Sequence, residues 1–277
     1  MHKGSGPDVS VKCKSIALLF SAGQRTPTPT HFAVNGGWVK FASQALYLGA
    51  LLDDQLTDDP EIDRRLEAAA AAFYSLRGEI YGSQKVALLT KAHLYMALVV
   101  SILTYGAELW RTSAAQMRRL QSFHRKCIRA FFRITLHHSW KRRITSESLL
   151  ERCRLRSMHD ILKKKSLSWL GHVARMEPNR LPKLLTFAWV PHTRPVGRPK
   201  SSYLQRALRF VKSTIPLIPP KIANDLKRHA GTAPWYRLVL HDDVANWHLV
   251  AQDRNSWKQI VNAQTSPATS RKGDINC

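Results

Sequence analysis

The side chains best placed to do chemistry here are cations. Arg118, Arg125, Arg129 and Arg133, with Ser122 among them, recur every three or four residues, a spacing that puts them on one side of a helix. Arg119 and Lys126 join that set. A guanidinium binds phosphate bidentately and is weakly hydrated, so an arginine-rich face suits a polyanion. The bland alternative is a solvated face. Solvated faces mix signs, however, and no Asp or Glu occurs between Arg111 and Glu147. Lys141-Arg142-Arg143 and Lys163-Lys164-Lys165 are short basic runs that could act as phosphate clamps or as nuclear-import addresses. Arg175, Arg198 and Lys200 complete the candidate contacts.

Other constellations point less firmly. Cys127, His137 or His138, Cys153 and His159 could assemble a zinc site, but their gaps match no standard finger. The four cysteines lack any CxxC spacing, which suits free thiols in a reducing compartment. His172 lies at the edge of an apolar stripe, where a hydrogen-bonded structural histidine competes with a nucleic-acid contact. Trp169, Trp189, Trp235, Trp247 and Trp257 are core residues or base-stacking platforms. Gly197-Arg198-Pro199 fits either a basic linker or a hook lying in a narrow minor groove.

The distribution of charge sharpens the first reading. The 277 residues carry a net +24. Residues 111–212 hold 25 Lys+Arg against 4 Asp+Glu, whereas residues 1–110 hold 10 of each. One central block therefore carries nearly all the excess, and a polyanion such as RNA or DNA is the expected partner. No membrane partner and no small-molecule substrate are expected. Residues 12–23 resemble a secretory signal only superficially, and the short apolar core suits a buried strand better. Residues 92–107 are too short to span a bilayer. The chain reads as soluble and intracellular, in nucleus or cytoplasm.

These cations must be held by folded elements, and the sequence assigns most of those to helices. Residues 9–20 suit a strand, 32–34 and 39–41 a hairpin around Asn35-Gly36-Gly37, and Ala45–Leu52 one further strand. Asp59-Pro60-Glu61 then opens a helix running to about Leu76. A long apolar helix is expected over 83–103. Ser113-Ala-Ala-Gln116 and Ser157-Met-His-Asp160 are capping boxes. The first starts a helix with Met117, Leu120, Phe123, Cys127 and Phe131 inward. The second starts one with Met158, Leu162, Trp169, Val173 and Met176 inward and Lys164, Ser168 and Arg175 opposite. Shorter helices are expected near 201–211, 221–229 and 244–260, with a frayed end and no internal repeat.

Several of these segments, in order, resemble the end of the reverse transcriptase of non-LTR (LINE-type) retrotransposons. They are Lys12-Cys-Lys14, Tyr47-Leu-Gly49 with Glu61-Ile62 and Arg65, Thr90-Lys91, Leu94-Tyr95 and Leu103-Thr-Tyr-Gly-Ala-Glu-Leu-Trp110. Further on come Leu120–Arg133, Arg156-Ser-Met-His159 to Trp169-Leu-Gly-His-Val-Ala-Arg-Met176, Leu181-Pro182, Gly197-Arg-Pro-Lys200 and Ala251-Gln-Asp-Arg-Asn-Ser-Trp257. The resemblance covers about residues 9 to 260. It implies a mainly α chain divided into a palm remnant with a primer-grip-like hairpin (1–56), thumb-like helices (57–110), a basic helical nucleic-acid-binding region (111–212) and a C-terminal helical tail (213–277).

It also implies what this stretch lacks. The metal-holding carboxylates of the family lie upstream of the part that matches, and polymerisation needs two or three of them around two ions. Asp53-Asp54 follows the primer-grip position, and Asp58-Asp59 reads as a helix cap. The chain alone is therefore expected to be no polymerase and to hold no cofactor, the divalent metal (Mg) belonging to the intact parent. Two alternatives stay open: a host-used DNA-binding or scaffold protein derived from such an element, and a decayed reading frame.

Overall fold

A computed structural model describes residues 16–20, 30–34, 37–187, 207, 210, 211 and 247–264. The chain divides into two compact units, Met1–Arg65 and Leu66–Cys277. It is mainly α, and among the described residues its small sheets lie in the first unit.

In the first unit, β1 (His31–Val34) pairs antiparallel with β2 (Gly37–Lys40), as the hairpin pattern predicts. Of the strand expected over 9–20, the described part is 16–20, where Ala17 alone forms a bridge, parallel to Phe41. The apolar run expected as one strand is in fact two, β3 (Gln44–Tyr47) and β4 (Ala50–Asp53), paired from Gln44↔Asp53 to Tyr47↔Ala50. Leu48 (φ 47°) and Gly49 (φ 78°) make the reversal. Both turn residues need φ > 0, and only Gly49 accepts that without strain. An unbroken apolar run masks the turn, since leucine carries no turn signal.

The turn is tied down by the start of the first helix, α1 (Asp59–Ser75). Buried Glu61 accepts the Leu51 N–H at 2.9 Å and ion pairs with Arg64 at 2.9 Å and Arg65 at 2.6 Å. Arg64 donates to the Gly49 carbonyl at 2.6 Å, and Arg65 donates to the same oxygen. Burial pushes the Glu61 carboxyl up, but the bonds from both arginines and from Leu51 outweigh it and hold it below its ordinary value. Leu46, Tyr47 and Leu48 are left exposed at the hairpin tip.

The second unit begins with the rest of α1. The chain then makes a π-helical turn (Arg77–Tyr81) and enters α2 (Leu88–Leu94), which continues through a π-helical stretch (Tyr95–Val100) into α3 (Ser101–Leu103). The expected long helix is thus present but starts at Leu88 rather than Ser83. An aromatic core follows: the Tyr81 ring lies between Phe73 (4.6 Å) and Phe131 (5.4 Å), and Tyr95 meets Phe131 edge-on at 5.5 Å. Next come α4 (Ala114–Phe131), α5 (Leu136–Lys141), α6 (Ser146–Arg152), α7 (Met158–Ala174) and α8 (Leu181–Phe187). α9 (Trp247–Val250) and α10 (Arg254–Gln264) realise the helix expected near 244–260. The expected helix near 221–229 lies outside the described residues. Of 201–211, Ala207, Phe210 and Val211 are described, helical and buried.

A second apolar core gathers Leu167, Leu170 and Ala174 of α7 with Phe210, Trp247, Val250, Trp257 and Ile260. Trp257 donates its indole N–H to the Leu167 carbonyl at 2.9 Å. Gly171 permits this packing, because a Cβ there would lie 2.1 Å from the Trp257 nitrogen. Trp247 and Trp257 are therefore core residues, not exposed platforms. Trp169 is half-buried beside His172, and Trp189 and Trp235 lie outside the described residues. No helix of the described residues is long and apolar enough to cross a membrane.

Candidate nucleic-acid interface

α4 begins with the capping box its sequence predicts. Ser113 Oγ accepts the Gln116 N–H at 3.2 Å, and Gln116 Oε1 accepts the Ser113 N–H at 2.6 Å. Its inward face differs from the expected one. Gln116, Leu120, His124, Cys127, Ile128 and Phe131 are buried, while Met117 and Phe123 are only half-buried. The rotation has a polar cause. His124 accepts the Tyr95 hydroxyl at Nδ1 (2.8 Å), and its Nε2 lies 3.0 Å from the Arg156 carbonyl. A carbonyl only accepts, so Nε2 carries a proton, and in the neutral ring Nδ1 is left to accept. Burial drives the His124 pKa down to about 4, although the Arg156 carbonyl opposes this. A hydrogen-bonded histidine can thus occupy a core position that hydrophobic patterning assigns to an apolar side chain.

That rotation decides which cations face outward. Arg118, Arg119 and Lys126 are exposed, whereas Arg125 and Arg129 are half-buried. Burial lowers the Arg129 pKa, with Arg125 next in effect. Arg125 also meets Glu147 at 3.4 Å in an exposed pair, a contact worth little in water. Lys126 lies 5.6 Å from the centroid of the Tyr74 ring. Arg133, Lys141, Arg142 and Arg143 are all exposed.

The three connectors that follow α4, α5 and α6 share one local design. In each, an arginine just past the helix takes a left-handed conformation: Arg133 (φ 57°), Arg143 (φ 52°) and Arg154 (φ 53°). Each is followed by an aliphatic residue whose N–H reaches back into the helix. Ile134 donates to Arg129 O, Ile144 to Ser139 O and Leu155 to Leu150 O, at 3.2, 2.8 and 2.9 Å. A hydroxyl then caps the next helix, from Thr135, Thr145 and Ser157. Glycine normally fills the left-handed position of such a cap. Arginine there meets the negative helix end and keeps its side chain exposed. Arg-Ile-Thr at 133–135 and again at 143–145 is a short repeat that the search for longer periods passes over. It also draws attention to Arg154, which the helical spacing of cations does not.

The ends of α4 and α6 adjoin. The Arg152 guanidinium lies 4.8 Å from the centroid of the Phe132 ring, and buried Lys91 donates to the Phe131 carbonyl at 3.3 Å. Burial lowers the Lys91 pKa, with Arg133 next in effect. Arg133, Arg152 and Arg154 thus add exposed charge around two converging helix ends.

α7 treats its cations differently. Lys163 is buried at 7% exposure, its pKa lowered by burial against the pull of Asp160. Lys164 and Lys165 are half-buried, and Lys165 lies 3.6 Å from Glu108. Arg175 donates to the Ala251 carbonyl at 2.7 Å. The helix buries Met158, Leu162 and Val173 as expected, but Ile161, Leu167 and Leu170 take the place given to Trp169 and Met176. Arg198 and Lys200 lie outside the described residues.

Neither thiol chemistry nor a metal centre is assembled by these elements. Cys127 and Cys153 are buried, and burial pushes both pKa values up to about 12, so both stay protonated and unreactive. Among the described residues no group of three or more His, Cys, Asp or Glu side chains could hold a metal ion. Asp53 accepts bonds from Gln44 at 3.4 Å and Thr57 at 3.0 Å, and Asp54 accepts from Gln55 at 2.9 Å.

Comparison with known proteins finds transposon-derived relatives at low identity. A transposon-derived protein of Caenorhabditis elegans is 24% identical over 269 residues, which cover 92% of this chain and 86% of the nematode protein. A Drosophila melanogaster protein described as a "probable RNA-directed DNA polymerase from transposon BS" is 26% identical over 167 residues. That match takes in 56% of this chain and 18% of the fly protein, so this chain corresponds to a minor part of it. No family model and no solved structure matches.

Proposed function

We propose that this chain derives from a non-LTR retrotransposon reverse transcriptase, is its palm-end, thumb and C-terminal portion, and binds nucleic acid without polymerising it. The transposon kinship of both relatives supports the origin, and the name of the fly relative supports a polymerase parent. The observation that carries the binding role is the set of exposed cations Arg118, Arg119, Lys126, Arg133, Lys141, Arg142, Arg143, Arg152 and Arg154, in a block of 25 basic and 4 acidic residues. In the parent, residues 57–110 would hold the template–primer duplex, and the basic block would grip template RNA or target DNA. The polymerase carboxylates and their magnesium ions would belong to the rest of the parent.

Binding through phosphates releases counterions. The logarithm of affinity should then fall against the logarithm of salt with a slope of about −0.7 to −0.9 per phosphate neutralised. Titration of a labelled oligonucleotide at several salt concentrations measures this, and a flat response removes the binding role. Extension of a primed template by the purified chain with magnesium would remove the non-enzyme part. A second reading, a stand-alone nucleic-acid-binding or scaffold protein of the same origin, is favoured by the nematode relative, which matches over most of its own length.

A further inference from the structure

The short helix α5 carries the most exposed tryptophan among the described residues. Trp140 is 78% exposed, whereas Trp110, Trp247 and Trp257 are all buried. Tryptophan is a large apolar side chain, and folding ordinarily buries most of it. The ring has one aromatic neighbour among the described residues, His137, whose centroid is 6.4 Å away. Beside it lies a cleft of about 640 Å³ lined by Ser139, Trp140, Lys141, Arg143, Ile144 and Thr145. The cleft thus combines an uncovered aromatic face, two cations and two hydroxyls.

The backbone holds these groups in place. Thr135 Oγ1 caps α5 by accepting the His138 N–H at 3.1 Å. At the other end Arg143 takes its left-handed conformation, and its N–H bonds to the Trp140 carbonyl at 3.1 Å. The arginine that terminates the helix is therefore tied to the residue bearing the ring. A flat aromatic surface beside cations is the arrangement that accepts an unpaired base and its flanking phosphates. A paired base cannot offer its face, because its neighbours in the stack cover it.

We infer that Trp140, with Lys141 and Arg143, forms a stacking site for an unpaired nucleobase, so that this region selects single-stranded over double-stranded nucleic acid. The inference rests on the nucleic-acid-binding reading above and adds the strandedness of the ligand. Among the described residues no acidic side chain lines the cleft, as a polyanionic strand requires.

The test uses the full chain and three labelled probes with equal numbers of phosphates: a single strand, a blunt duplex and a single strand of abasic residues. Wild type should prefer the base-bearing single strand. Trp140→Ala should weaken that binding roughly tenfold while changing binding to the duplex and abasic probes less than twofold. Trp140→Phe should retain most of the affinity, and all variants should unfold at the same denaturant concentration because the ring is exposed. Lys141→Ala with Arg143→Ala should weaken every probe and make the salt slope shallower by about 2. Equal loss on all three probes, no loss in Trp140→Ala, or equal competition by polyglutamate would overturn the stacking site and leave the general binding role standing. Failure of wild type to bind any probe would remove both.

Discussion

Helices α4 and α7 begin alike and end differently. Each opens on a hydroxyl N-cap, and each carries basic residues at helical spacing. α4 turns Arg118, Arg119 and Lys126 to solvent, while α7 buries Lys163, half-buries Lys164 and Lys165, and bonds Arg175 to the Ala251 carbonyl. The difference lies in how much of each helix is covered. α7 buries 10 of its 17 residues, whereas α4 buries 6 of its 18, so fewer positions on α7 remain free for a ligand. The aliphatic stem of a lysine can pack as an apolar side chain does, so a basic run reports a binding surface only where the helix is one-sided.

The largest test of this contrast falls on Gly171. On an open helix Gly→Ala stabilises by about 1 kcal/mol. Here the added methyl would overlap Trp257, whose indole nitrogen would lie 2.1 Å away. Gly171→Ala should therefore lower stability by about 3 kcal/mol or more in urea unfolding. A stabilised variant would show that α7 is not enclosed.

α4 has its own signature, in acid. The buried His124 has a pKa of about 4 against an ordinary 6.5. Between those values the unfolded chain binds the proton and the folded chain does not. Stability is thus complete above about pH 6.5 and falls as pH drops toward 4, by about 3 kcal/mol in all. Denaturation measured from pH 7 to 4 checks the slope, and His124→Leu should flatten that part of the profile. An unchanged slope in the variant would assign the acid sensitivity elsewhere.

Binding should separate the helices in turn. Arg118→Ala with Arg119→Ala should reduce the salt slope by up to about 2, with little change in stability. Lys163→Met should leave affinity within about twofold. Equal losses of affinity from the two would erase the distinction drawn from burial. The smallest effect concerns the repeated connectors. Arg133→Gly or Arg154→Gly relieves a left-handed residue, which should offset the lost helix-end charge and raise stability by up to about 1 kcal/mol. Oligonucleotide affinity should fall at the same time. Destabilisation would mean that the arginine side chains hold the helix ends more than the backbone strains them.

What could be read directly from residues was local. The capping boxes at Ser113 and Ser157 and the start of α1 at Asp59-Pro60 depend on neighbours in the chain. So does the helical spacing of Arg118, Arg125 and Arg129. The α5 and α6 helices leave no periodic mark in the sequence, because each is a short helix enclosed by basic turns, with too few apolar positions to show a period. The hairpin turn at Leu48-Gly49 is likewise unmarked, because its first residue is leucine.

The chain order of amino acids by itself determined the mainly helical fold, the starts of α1, α4 and α7 and the concentration of positive charge in residues 111–212, since propensity, capping and charge act between near neighbours. Tertiary structure decided that His124 belongs inside and Trp140 outside, and that Lys163 is covered while Arg133, Arg143 and Arg154 are not. Burial is a property of what packs from elsewhere in the chain, as the Tyr95 hydroxyl and the Arg156 carbonyl do for His124. No spacing along α4 encodes those partners.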